Sequence, residues 1–222
     1  MGKIVTKVQN YKTKIAYLVS SFALVALFIP IMASAAPTPT FNQTINAGAL
    51  STNIMQSDDS TPVASPTVAF PAVNAGFTCQ TNTATLGDSN NKLNVTNLAS
   101  NNGWTLTMTA TSGDSATWTD GSNTYAYNDP AGSGCTNGQL TVDPSVSTIT
   151  LDCNSSCSSA TVTKGSSATL DNTGSSVATL ATNSSGSAWG GYLTGISLSQ
   201  KIPAAQASGS YSLPMTITVT AN

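Results

Sequence analysis

Tyr211-Ser212-Leu213-Pro214-Met215-Thr216-Ile217-Thr218-Val219-Thr220 decides the fold class. Its side chains alternate with a period of two. Tyr211, Leu213, Met215, Ile217 and Val219 share one face, and Ser212, Pro214, Thr216, Thr218 and Thr220 share the other. Such a strand offers one face to a core and one to water. Pro214 has no N–H for a ladder, so the strand is expected at a sheet edge or beside a bulge.

The same period recurs upstream. Trp104, Leu106, Met108 and Ala110 alternate with Thr105, Thr107, Thr109 and Thr111. Leu93 and Val95, Leu140 and Val142, Ile149 and Leu151, then Ile196, Leu198 and Ile202 repeat the pattern more briefly. Asn101-Asn102-Gly103, Asp120-Gly121, Asn137-Gly138 and Gly190-Gly191 supply turn chemistry between them. Phe41 to Met55 reads as a first strand broken by Gly48. Asp58 to Pro71, carrying Pro62, Pro66 and Pro71, reads as loop or edge strand. No stretch has a helical period. The expectation is an all-β, antiparallel β-sandwich of Greek-key or jelly-roll type, one domain over 41–222, after an N-terminal signal helix.

Composition agrees with strands and turns. Charged residues are 7% of the chain, against roughly 25% in ordinary soluble proteins. Every acid is Asp, every base is Lys, and Glu, Arg and His are absent. Apolar residues make up 40%, spread at regular intervals, so a core can form.

Lys3, Lys7, Lys12 and Lys14 precede an apolar run from Ile15 to Ile31 that ends in Ala33-Ser34-Ala35. This is the form of a secretory signal peptide over 1–35, with the cut expected after Ala35. The alternative, an uncleaved anchor, would need a somewhat longer apolar span. Pro37-Thr38-Pro39-Thr40 makes 36–40 a stiff spacer. The rest holds no second apolar stretch and no basic cluster. A mature chain with Lys92, Lys164 and Lys201 against nine Asp is expected to bind neither nucleic acid nor, after cleavage, membrane. Localisation is expected to be secreted, at the cell surface.

In an exported chain, Cys79, Cys135, Cys153 and Cys157 read as disulfides. Four cysteines allow three connectivities; Cys79–Cys135 with Cys153–Cys157 is favoured, because the short loop can close by itself. By loop-closure entropy the long bridge would contribute roughly 4 kcal/mol and the short one roughly 2 kcal/mol. A metal site lacks His and paired C-x-x-C spacing.

Enzyme chemistry has little to work with. Without His or Glu, the usual acid–base groups are missing and a Ser–His–Asp triad cannot be built. Asp58-Asp59 reads as a solvated turn. Asp114, Asp120 and Asp129, with Asn123 and Asn128, offer oxygens of the kind calcium takes, but their spacing fits no calcium loop, and solvated loop acids are the plainer reading. No enzyme activity, cofactor or metal is expected.

Trp104, Trp118, Trp189, Tyr125, Tyr127 and Tyr192 could stack on sugars or fill a core. Trp104 shares its face with Leu106 and Met108, so it is expected in the core. Trp118 and Tyr125 sit in loop-like surroundings and are the better candidates for exposure.

Gly103-Trp104-Thr105-Leu106-Thr107 resembles the first Trp-x-Leu motif of the WxL cell-wall-binding domain. Ile202-Pro203-Ala204, then Ser208-Gly209-Ser210-Tyr211 and a terminal strand, is similar to that family's closing pattern. Ile217 and Val219 stand where the second Trp-x-Leu would be, and Asn97 where an Asp is usual. The resemblance covers roughly 76–222. It implies non-covalent binding of cell-wall glycan, the peptidoglycan, with Trp104 and Leu106 in the motif. Wall contact would then pass to neighbouring exposed aromatic and Asn/Thr groups around Trp118 and Tyr125.

Phe41-Asn42-Gln43-Thr44-Ile45-Asn46-Ala47-Gly48-Ala49-Leu50 resembles the opening of camelysin-type biofilm-fibre subunits. That likeness implies a second role, a structural subunit of a fibre or surface layer. Self-association through residues 41–50 would share strands between copies.

Overall fold

In a computed structural model, Gln43 and residues 48–99, 103–134, 136–153 and 157–222 are described. The signal segment 1–35, the spacer 36–40, most of 41–47 and Cys135 lie outside them. The architecture is that of the unit Ile45–Asn222.

The chain forms β1 (Leu50–Met55), β2 (Gln80–Leu86), β3 (Lys92–Asn97), β4 (Trp104–Ala110), β5 (Thr117–Thr119), β6 (Thr124–Ala126) and β7 (Gln139–Asp143). It continues with β8 (Thr148–Leu151), β9 (Val162–Lys164), β10 (Ala168–Thr169), β11 (Val177–Asn183), β12 (Trp189–Thr194), β13 (Ile196–Ile202) and β14 (Met215–Ala221). All pairings are antiparallel. The expected all-β sandwich is what the chain builds. Among the described residues, the only helical elements are short 3-10 turns, and no helix is long and apolar enough to cross a membrane.

One layer is a sheet that bends across its middle. β12 is flanked by β3 and β8, and β13 by β2 and β7. Each of these strands is nearly continuous with its successor: β2 with β3, β7 with β8, β12 with β13. The breaks are Gly87–Asn91, the 3-10 turn Pro144–Val146, and the single residue Gly195. Gly195 N–H donates to Gly87 O at 2.8 Å, and both glycines have positive φ, +79° and +84°. A Cβ on Gly87 would lie 2.9 Å from Leu193 O and 3.0 Å from Thr194 Cα. The bend therefore needs glycine for both conformation and space. β1 extends this layer on β3, and β10 on β7.

The other layer is β14-β4-β11-β9. The β4 face expected to be apolar is buried from Trp104 to Ala110, while its threonines line up with those of β14, Thr105 opposite Thr220 and Thr107 opposite Thr218. β14 alternates half-buried and exposed residues as read from sequence, and Pro214 precedes an edge strand. A register shift between Thr179 and Ala181 lets both Leu180 and Ala181 face inward. Leu93, Val95, Leu140, Val142 and Leu193 of the bent layer meet Trp104, Leu106 and Leu180 in one core.

Of the strand expected over 41–55, residues 41–47 other than Gln43 lie outside the described residues, and Gly48 and Ala49 precede the strand. The strand occupies Leu50–Met55 and pairs along its length with β3, Leu50 opposite Asn97 and Met55 opposite Lys92. Gly48 N–H reaches Leu98 O. Asp58 to Pro71 is mostly irregular, apart from a single bridge between Met55 and Pro62.

Candidate functional site

Trp104 and Leu106 are each 0% exposed. The Trp104 ring packs on Trp189 across the layers, with centroids 5.1 Å apart. The motif residues are thus core, as the threonine-backed strand implies. Ile217 and Val219, in the second motif position, are half-buried on the edge strand β14, opposite Met108 and Leu106.

The loop-like surroundings of Trp118 and Tyr125 are in fact a short hairpin, β5–β6, folded onto the end of β13. Trp118 Nε1 donates to Gln200 Oε1 at 2.8 Å. Its ring stacks on Tyr125 at 6.1 Å and meets Phe70 edge-on at 5.5 Å. Tyr125 in turn contacts Tyr211 at 5.2 Å. Tyr125 is only 9% exposed and Trp118 is half-buried, so the expected exposure is corrected. A row of rings hides most of each face, because stacking removes apolar area from water. Burial, with Tyr211 beside it, pushes the Tyr125 hydroxyl pKa well above its usual value.

The row ends at an open cleft of about 220 Å³. Its walls are Tyr125, Tyr211, Gln206, Gln80 and the segment 73–76, facing Ile202, Pro203 and 207–209. The segment Pro203–Tyr211, which carries the family-like closing pattern, is its rim. Gln206 Nε2 donates to Tyr211 Oη at 2.7 Å, and that hydroxyl donates to Ala207 O at 2.8 Å. Gln80 Nε2 donates to Asn74 O at 2.6 Å. Ala205 takes a left-handed φ of 59°, and its N–H bonds Gly76 O at 2.7 Å, tying the two rims together. Among the described residues no charged side chain lines the cleft, and the nearest carboxylate, Asp120, lies against the rim residue Gly209. Phe77, next to the lining residue Gly76, is 95% exposed.

Tyr211, Gln206 and Phe77 were not singled out as site residues in the sequence. Gln200 had a signal: it shares parity with Ile196 and Leu198 and so points inward. The cleft had none, since its two rims are more than a hundred residues apart.

A larger apolar groove of about 530 Å³ lies between the two layers at their edge. Val68, Phe70, Leu86, Leu198, Met215 and Ile217 line part of it. β14 borders it, paired with β4 on one side and with no described strand on the other.

Cys153–Cys157 is a disulfide, as expected. The other expected bridge rests on Cys135, outside the described residues. Asp120 accepts from Ser122 N and Asn123 N, and Asp129 accepts from Ala131 N and Asn137 Nδ2, so each is the acceptor of its own turn. Asp59 pairs instead with Lys92. Among the described residues no three acids, cysteines or histidines gather as metal ligands.

The chain matches no family model, and comparison with curated proteins and with solved structures yields no match.

Proposed function

We propose that the protein is a secreted cell-surface protein that binds uncharged wall glycan non-covalently through the cleft between Tyr125, Tyr211, Gln206 and Gln80. The observation that carries this reading is the lining: two tyrosine rings, amides and small apolar groups, with no charged side chain among the described residues. Rings stack on the apolar faces of sugars, and amides exchange hydrogen bonds with hydroxyls. The exposed Phe77 adds a ring at the rim. The family resemblance supports the same ligand, with Trp104 and Leu106 shaping the domain from its core. Sedimentation with isolated cell walls tests it. Tyr211→Ala and Phe77→Ser should each lower the bound fraction, and Phe77→Ser should do so without lowering the melting temperature. If both variants sediment with walls like the parent, the cleft is not the binding site.

A structural subunit of a surface layer is the second reading, favoured by one observation. The edge strand β14 is unpaired on one side by any described strand and borders the apolar groove. Such an edge can accept a strand from another copy. Concentration-dependent oligomers abolished by Val219→Pro, which removes a β14 N–H facing away from β4, would favour it. A monomer at all concentrations would remove it.

A further inference from the structure

Most sheet edges among the described residues are short or covered. β8, β9 and β10 have four, three and two residues. Val63 N–H donates to Ile54 O at 2.8 Å along β1. Asn82 Nδ2 and Gln80 Nε2 hold Pro71 O and Asn74 O against β2. β14 is different: it has seven residues, none charged and none proline, and no described strand pairs with its outer side. β1 runs beside it in the other layer without forming a ladder. An edge of this kind accepts strands, and charge, proline or a cover is the usual guard against it.

The hydrogen bonds at the two ends of β14 fix which backbone groups face outward. Thr111 N–H donates to Pro214 O, and Asn222 N–H donates to Gly103 O. Bonding alternates along an antiparallel ladder. The even-numbered residues of β14 therefore bond toward β4, and Met215, Ile217, Val219 and Ala221 direct N–H and C=O away from it.

We propose that this edge pairs with β14 of a second copy, antiparallel about a two-fold axis through Thr218. The proposal rests on the open edge of the surface-layer reading and names the strand that fills it. In this register Ile217 stands opposite Val219 of the second copy, and Met215 opposite Ala221. All four residues carry outward groups, so every outward N–H and C=O finds a mate. The two Thr218 residues meet at a non-hydrogen-bonded position, where side chains approach most closely and Thr–Thr pairs are favourable. Charge points to the same partner. An uncharged strand does not repel its own copy and offers a charged segment nothing to pair with. The half-buried Met215, Ile217 and Val219 of the incoming strand lie over the groove of about 530 Å³ and cover its apolar wall.

The test is cysteine cross-linking of the mature protein. The described cysteines are all bridged, so an added thiol has no described partner within its own chain. Thr218→Cys should oxidise to a covalent dimer, because Cα atoms about 4.5 Å apart at such a position suit a disulfide. Thr107→Cys, on the same face of β4, should not, since two copies of it would lie about 14 Å apart, three strand spacings. Thr216→Cys mixed with Thr220→Cys should form the heterodimer that the register requires. Thr218→Lys sets like charges on the axis. It should be monomeric at the parent's melting temperature, and mixing it with Thr218→Asp should restore the pair. A Thr218→Cys protein that stays monomeric on oxidation, or bridges no faster than Thr107→Cys, overturns the proposal. Oligomers that persist in Thr218→Lys also overturn it, and they would leave the surface-layer reading standing with another segment, such as 41–50, on the edge. Dimers bridged at residue 218 that grow no further support the proposal and remove β14 as the contact that builds a layer, because a two-fold pair closes on itself.

Discussion

The indole of Trp104 lies against that of Trp189, centroids 5.1 Å apart and planes inclined at 53°, and joins β4 to β12 across the two layers. Both rings are buried at the centre of the sandwich. Trp104→Ala should therefore destabilise by about 3–5 kcal/mol, the usual result of emptying a large core site. That is a large share of a small domain's whole stability. A melting curve beside a wall-sedimentation assay checks it: a variant that melts like the parent yet fails to bind would place Trp104 in the ligand contact instead.

Gly87 and Gly195 offer a matched pair. Gly87→Ala meets both a positive φ and backbone atoms at 2.9 and 3.0 Å, whereas a Cβ at Gly195 would have only Ser147 Cα at 4.0 Å. A left-handed non-glycine residue costs about 1–2 kcal/mol by itself. Gly195→Ala is expected to lose about that much, and Gly87→Ala clearly more. Equal urea midpoints for the two variants would contradict the close packing at the bend.

Gln200 is buried and holds Trp118 Nε1 through its Oε1. Gln200→Leu should cost about 1–3 kcal/mol, because the indole donor loses its acceptor. Adding Trp118→Phe to that variant should recover part of the loss. A double-mutant cycle with no coupling would show that the bond contributes nothing.

Acid and alkali should act through different groups. Hydrogen bonds from Thr61 and Ser60 lower the Asp58 pKa to about 2, and turn hydrogen bonds lower Asp88, Asp120 and Asp171 in the same direction. Their contribution is complete above the unfolded value of 3.8 and is lost as pH falls toward 2. Tyr125 and Tyr192 are raised above 10.0, mainly by burial, so their contribution is present below pH 10 and lost as pH rises beyond it. With no histidine in the chain, the melting temperature should be flat from about pH 5 to 8. A slope inside that window would point to a group outside this account.

Replacing both Cys153 and Cys157 by Ser should lower stability by about 2 kcal/mol, the loop-entropy value for so short a closure. Guanidinium unfolding of the double variant measures this. A non-reducing peptide map that joins Cys153 to Cys79 would reject the pairing.

Strand identity and facing were legible because a period of two is a local property: Trp104 to Thr111 and Tyr211 to Thr220 each state which side is wet. The core position of Trp104 followed from its neighbours on one face. Parity failed where geometry departs from an ideal ladder. The shift between Thr179 and Ala181 turns Asn183 inward, and no local pattern announces it. Tyr125 is covered by Tyr211 from a distant part of the chain, so its burial was hidden from a reading of its own loop.

By itself, the sequence determined an all-β chain with apolar-in, threonine-out strands and almost no acid–base chemistry, because those follow from residue type and period. Only the tertiary structure decided which edges remain open, where the sheet bends, and that Tyr211 meets Tyr125 while Asn183 meets Trp104. Those relations depend on register between strands far apart in the chain, and register is set by the packing of the whole core rather than by any one segment.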